Sequence, residues 1–246
     1  MIITTISSLE IDLETHAQIL LATFVSLLCF AVIGYIVLRI FSLPVRTYLG
    51  PLMHPNTGNM GLPISLFAFG QVGLSYGVTI FCANALAQFT IGPLIASGSF
   101  SLRQLLKVPF VYAMLLAVVL LVFDLELPGF LDKTFSLLGG MTIGLMLITL
   151  GVSLATFEIT QFWRSLALAL LRLGMGVGVG WALASLFGFE GPARGIFILL
   201  CSMPSAVFTY IIAERFNAGA NNVAGVIALS TMLSFLFLPV LLVLVL

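Results

Sequence analysis

Charged side chains occur in this sequence almost only at the ends of apolar runs about twenty residues long, the length needed to cross a bilayer as a helix. That pattern leaves little choice of fold. Charged types make up 7% of the 246 residues and hydrophobic types 61%. Soluble domains carry about a quarter charged residues, and no water-facing surface could be covered by so few. The reading is an all-α polytopic membrane protein. Net charge is zero, so nothing in the balance suggests a nucleic-acid partner.

Six plain spans are expected at 17–41, 76–98, 108–124, 134–156, 164–187 and 222–245, and two interrupted ones at 47–71 and 193–215. Cytoplasmic loops collect Lys and Arg. With eight crossings, one set of loops holds Arg39, Arg46, Arg103, Lys107, Arg164 and Arg215, and the other only Lys133 and Arg194. Most acidic residues, including Glu10, Asp12, Glu14, Asp124, Glu126, Asp132 and Glu190, fall on the Lys/Arg-poor side. The expectation is a multi-pass protein of the plasma (cell inner) membrane with both termini extracytoplasmic. Residues 1–16 carry no Lys or Arg, so they lack the basic region of a signal peptide. They read as an extracytoplasmic tail of a single transmembrane transport domain, 1–246.

The first interruption is His54-Pro55-Asn56-Thr57-Gly58-Asn59-Met60-Gly61-Leu62-Pro63. Pro63 removes a helical donor and clashes with the turn before it. Gly58 and Gly61 weaken the helix, and Pro55 biases His54 away from helical geometry. The second is Ser202-Met203-Pro204-Ser205-Ala206. Unpaired backbone at membrane depth survives only inside protein or beside an aqueous cavity. Two broken helices at matching positions of two halves point to a transporter site. Span, broken span, span occurs at 17–98 and again at 164–245, five crossings apart. The odd offset makes the repeats inverted: a partial first repeat over 17–98 and a second over 108–245.

The half-helices starting near Pro63 and Pro204 present positive dipole ends. Asn56, Thr57, Asn59, Ser202 and Ser205 add polar side chains, and such a place favours a carboxylate. The alternative is that both prolines merely kink packed helices. Asn84 and Gln88 share a face of the span 76–98; they line the cavity or bond to a neighbouring helix. Arg172 should either face a cavity or snorkel along its helix to the basic side, and snorkelling is the expectation. Gly174, Gly176, Gly178 and Gly180 read as a close-packing stripe rather than a phosphate loop, since no strand precedes them. His54 has two readings, ion coupling or a place outside the site.

The run Asn56-Thr57-Gly58-Asn59-Met60-Gly61-Leu62-Pro63 resembles the central motif of the auxin efflux carrier family of permeases. Met203-Pro204-Ser205-Ala206, with Tyr210 to Phe216, is similar to that family's second signature, and Leu229-Ser230-Thr231 to Pro239 is similar too. The resemblance implies an inverted repeat of the ten-helix bile-acid/sodium symporter fold, here 3+5 spans for want of the first two. It implies broken helices that cross at Pro63 and Pro204, with Asn56 and Asn59 at the crossing. It also implies a small organic anion as substrate, auxin in plants and malonate- or malate-like acids in bacteria, and a homodimer as the assembly.

The expected substrate-binding set is Asn56, Thr57, Gly58, Asn59, Gly61, Pro63, Ser202, Pro204, Ser205, Asn84 and Gln88. No cofactor and no metal ligand set is expected: Cys29, Cys82 and Cys201 fit no metal spacing and read as small hydrophobes. No enzyme is expected either, because there is no HExxH and no pair of membrane aspartates. No carboxylate lies deep in a span, so coupling to a proton or sodium ion would have to use hydroxyls, amides and carbonyls. The competing reading is a truncated, non-transporting relative or a membrane interaction protein.

Overall fold

The computed structural model describes residues 13–98, 112, 113, 116, 128–157 and 159–246. Most of the expected span 108–124, together with Arg103, Lys107, Asp124, Glu126 and Glu158, and the first part of the tail, with Glu10 and Asp12, lie outside the described residues.

The chain is helical throughout this part. Helix α1 runs Leu13–Ile40 and α2 runs Val45–Met53. After a short extended stretch comes a wide turn of π-helix, Thr57–Gly61, which feeds α3, Leu62–Ser97. Then follow α4 (Gly129–Thr156), α5 (Phe162–Leu186), α6 (Gly191–Cys201), α7 (Phe208–Arg215) and α8 (Ala220–Val245). By length and composition, five helical stretches could cross a membrane: α1, the continuous run Thr57–Ser97, α4, α5 and α8. Their outward faces are apolar, with Leu28 and Ile36 on α1, Leu145 and Ile148 on α4, and Leu236 and Val243 on α8 all exposed. Such faces suit lipid, not water.

The run Thr57–Ser97 folds back on itself. Gly70 has φ 63° and ψ −151°, a conformation open essentially to glycine alone. A Cβ on Gly77 would lie 3.1 Å from Ser65 Oγ and 3.3 Å from Leu62 Cδ2. In a straight helix, residues twelve apart stand roughly 18 Å apart along the axis. Residues 62–69 and 71–97 are therefore two legs of a helical hairpin. The first leg completes the interrupted span and the second is the next crossing, as the sequence expectation of 47–71 and 76–98 requires.

The two halves pack alike. In the first, α1 lies on α2 and α3; in the second, α5 lies on α6 and α8. Across the halves α3 packs on α6 and α8 on α2. The main core, with Phe30, Tyr48, Leu52, Ile196, Phe197, Leu199, Val226 and Ile227, joins all these helices. Helix α4 stands apart: among its residues only Gly139 and Leu150 are buried, and it touches the π-turn and α3.

Candidate functional site

The two interruptions meet. The amide of Asn56 donates to the carbonyl of Pro204 at 2.7 Å, and the amide of Ala206 donates to the carbonyl of His54 at 2.9 Å. Pro55 and Ser205 face each other as a one-residue antiparallel bridge. Backbone groups freed from helical bonding have no water to turn to in a bilayer, and here each break supplies the partner of the other.

The crossing is centred on Pro55 and not on Pro63. Pro63 lies just past the π-turn, inside the continuous helical run Thr57–Ser97. The helix runs on through it instead of ending there. The break is made seven residues earlier. Asn56 has φ −76° and ψ 62°, and the Thr57 amide bonds back to Pro55 O at 2.8 Å, which is an inverse γ-turn. The Gly61 amide then reaches back to Asn56 O at 3.0 Å.

Asn84 fastens this turn to the second leg of α3. Its Nδ2 donates to Pro55 O at 2.9 Å and to Thr57 Oγ1 at 3.0 Å. Its Oδ1 lies 3.1 Å from His54 Nδ1. With the amide nitrogen committed to two oxygens, Oδ1 must accept, so Nδ1 of His54 carries the proton. His54 thus belongs to the crossing. Its Nε2 is buried without a partner, beside a cleft lined by Arg46, Thr47, Gly50, Thr209 and Ile212.

Asn56, Thr57, Pro204, Ser205 and Asn84 of the expected set are brought together. Gly58 and Gly61 mark close approaches: a Cβ on Gly58 would lie 2.9 Å from the Phe81 ring, and one on Gly61 would lie 3.4 Å from Leu200 and 3.6 Å from Met203. Ser202 spends its hydroxyl on Ile198 O within its own helix. Gln88 is buried one turn from Asn84, and its amide nitrogen has no partner. Asn59 is only half-buried. Ser230 on α8 accepts the Ser205 amide at 3.2 Å, and Ser234 contacts Met60 Sδ at 3.7 Å, so α8 closes one side of the crossing.

Arg172 does not snorkel. It is 0% exposed. Its Nη1 donates to Leu52 O at 3.3 Å in the last turn of α2, and its Nη2 to Cys201 O at 2.6 Å at the end of α6. The guanidinium stands 4.4 Å from the centre of the Phe30 ring, a cation–π distance. Only half of the glycine stripe serves as expected. A Cβ on Gly176 would lie 2.5 Å from Cys201 O and one on Gly180 2.9 Å from Cys201 Cβ, while Gly174 and Gly178 face open space. Among the described residues no group of His, Cys, Asp or Glu is arranged to hold a metal ion.

Two antiparallel broken helices that satisfy each other's backbone, inside a bundle with apolar outer faces, define an integral membrane protein built around a crossing of interrupted helices. A family model described as a membrane transport protein matches residues 93–242. The chain belongs to that family, the auxin efflux carriers. It is similar to an uncharacterized transporter of Methanocaldococcus jannaschii, with 24% identity over 74% of this chain and 62% of that protein. It is also similar to an uncharacterized transporter of Methanothermobacter thermautotrophicus, with 27% identity over 75% of this chain and 63% of that protein. The matched part thus spans less than two thirds of the length of these curated relatives.

Proposed function

We propose that this chain forms the broken-helix core of a secondary carrier for small organic anions such as carboxylates, with the crossing of Pro55 and Ser205 as the place where access alternates. The observation that carries this reading is the set of buried polar atoms at and around the crossing that have no partner: His54 Nε2, Asn56 Nδ2, Gln88 Nε2, Arg172 Nε, Ser205 Oγ and Thr231 Oγ1. Buried polar groups are nearly always bonded, so several orphans in one region suit a ligand that would bond to them. Three of the six, the Asn56 and Gln88 amide nitrogens and Arg172 Nε, are obligatory donors, and the hydroxyls can donate as well. Half-helices begin at Thr57 and Phe208, and their positive ends add to the preference for an anion.

The basic loops at Arg39, Arg46, Arg164 and Arg215 support an orientation with both termini outside the cytoplasm. The test of function is uptake of radiolabelled carboxylates into proteoliposomes, with Asn56→Leu and Asn59→Leu as variants. Asn56→Leu is expected to reduce uptake at least tenfold. Unchanged uptake by both variants overturns the site.

A second reading, a non-transporting relative or membrane interaction protein, is supported by the exposure of α4, on which only Gly139 and Leu150 are buried. Uptake by the native chain no faster than by empty liposomes would decide for it.

A further inference from the structure

Carriers built on broken helices normally use two kinds of helix end. N-terminal ends face the anionic group of the substrate, and C-terminal ends with unwound carbonyls hold the coupling cation. In this protein the second seat is filled by the chain itself. Leu52 lies in the last turn of α2 and Cys201 closes α6. These are the two half-helices that run into the crossing and stop there. Arg172 donates to a carbonyl of each. Among the described residues its polar partners are these main-chain oxygens and no carboxylate, and its Nε is buried without a partner.

The charges balance in a definite way. A helix end is worth roughly half an elementary charge. Two C-terminal ends therefore make about one negative charge, which one guanidinium matches. The two N-terminal ends, at Thr57 and Phe208, make about one positive charge, and no built-in group opposes it among the described residues. A buried cation far from any carboxylate is expensive in a membrane. Its retention at this spot, stacked on Phe30 and wedged where Gly176 lets α5 touch Cys201 and Ser202, is accounted for if it replaces an ion.

We propose that Arg172 is a resident counter-cation: it occupies the seat of a coupling metal ion between the ends of α2 and α6, so that the crossing takes a singly charged carboxylate without sodium. This rests on the anion-carrier reading and deepens it. Arg172 is a positioning residue here, since it touches the half-helices and acts on the ligand through them.

The test is thermal-shift binding of acetate, butyrate and indole-3-acetate to the purified chain in sodium, potassium and N-methylglucamine salts. The native chain is expected to bind with the same affinity, within threefold, in all three. Arg172→Gln is expected to lose binding at least tenfold in N-methylglucamine and to regain it when sodium or millimolar guanidinium is added. A purely structural role would give no such rescue by a small cation. Arg172→Lys, which keeps the charge, is expected to bind in N-methylglucamine and decides the matter if the Gln variant does not fold. A native chain whose affinity rises tenfold with sodium, a folded Lys variant that fails to bind, or a Gln variant that binds normally without added cation overturns the inference alone. A native chain that takes no carboxylate in any salt overturns the anion-carrier reading beneath it.

Discussion

The amide of Asn56 and the carbonyl of Pro204, 148 positions apart in the chain, are joined by a 2.7 Å hydrogen bond. Proline cannot donate, so a helix interrupted at proline leaves carbonyls without partners. At this crossing the deficit of one break is met by the donor of the other. Neither interruption is tenable alone at membrane depth, and the two must form together.

The side chain that secures this pairing is Asn84, with bonds to His54, Pro55 and Thr57. Asn84→Ala is expected to destabilise the protein by about 2 kcal/mol, since three buried groups lose a partner although each interhelical bond in a membrane is worth only about 0.6 kcal/mol on average. Thermal unfolding in detergent measures the loss. Asn84→Asp should not restore it, because a carboxylate cannot donate to Pro55 O.

The glycine stripe of α5 makes a paired prediction. Gly176→Ala drives a methyl group into the main chain of Cys201 and Ser202 and should destabilise by about 1–3 kcal/mol. Gly178→Ala points into open space and should be neutral, or stabilising by up to about 1 kcal/mol through helix propensity. Equal melting temperatures for the two variants would show that α5 does not lie on the break.

At Gly70 the obstacle is conformational and not steric, since nothing lies within 4 Å of a Cβ built there. Gly70→Ala is expected to destabilise by about 1–3 kcal/mol. Larger residues at 70 should do little further harm, which a series of Ala, Ser and Leu variants followed by melting temperature would check.

Orientation can be read by labelling. In a chain freed of its three native cysteines, Gln161→Cys at the start of α5 should react with a membrane-impermeant maleimide only in inside-out vesicles. Glu190→Cys before α6 should react only in right-side-out vesicles. The opposite pattern reverses the topology inferred from Arg39, Arg46, Arg164 and Arg215.

Much of the architecture was legible in the sequence because lipid enforces it. The described spans begin and end within a few residues of the expected ones, since their length is set by the bilayer and their ends by charge. The two interruptions were legible from Pro55, Pro63, Pro204 and the glycines between. Which proline makes the crossing was not. Pro63 and Pro55 differ in whether the helix runs on past them or stops, and that depends on the bridging partner supplied by Ser205. Arg172 was misjudged for a related reason. Reckoned along one helix, snorkelling is the cheap solution, but the carbonyls of Leu52 and Cys201 converge on it only when two other helices have met. His54 gained its place through Asn84, thirty residues away. Asn59, whose residue type and position in the motif suggested the centre of the site, lies at its half-buried edge.

The hairpin at Gly70 has a mechanical corollary. Because the half-helix leaving the crossing turns straight into the next span with no loop between them, and Gly73 and Gly77 lock the two legs side by side, that half-helix has no slack. Any displacement of the π-turn drags residues 71–97 with it, and Asn84 travels in the same rigid piece. Under the proposed carrier reading, the element that rocks is this whole folded slab, turning against α6 and α8 and carrying Asn56, Thr57, Asn84 and Gln88 with it while Ser205 and Thr231 stay behind.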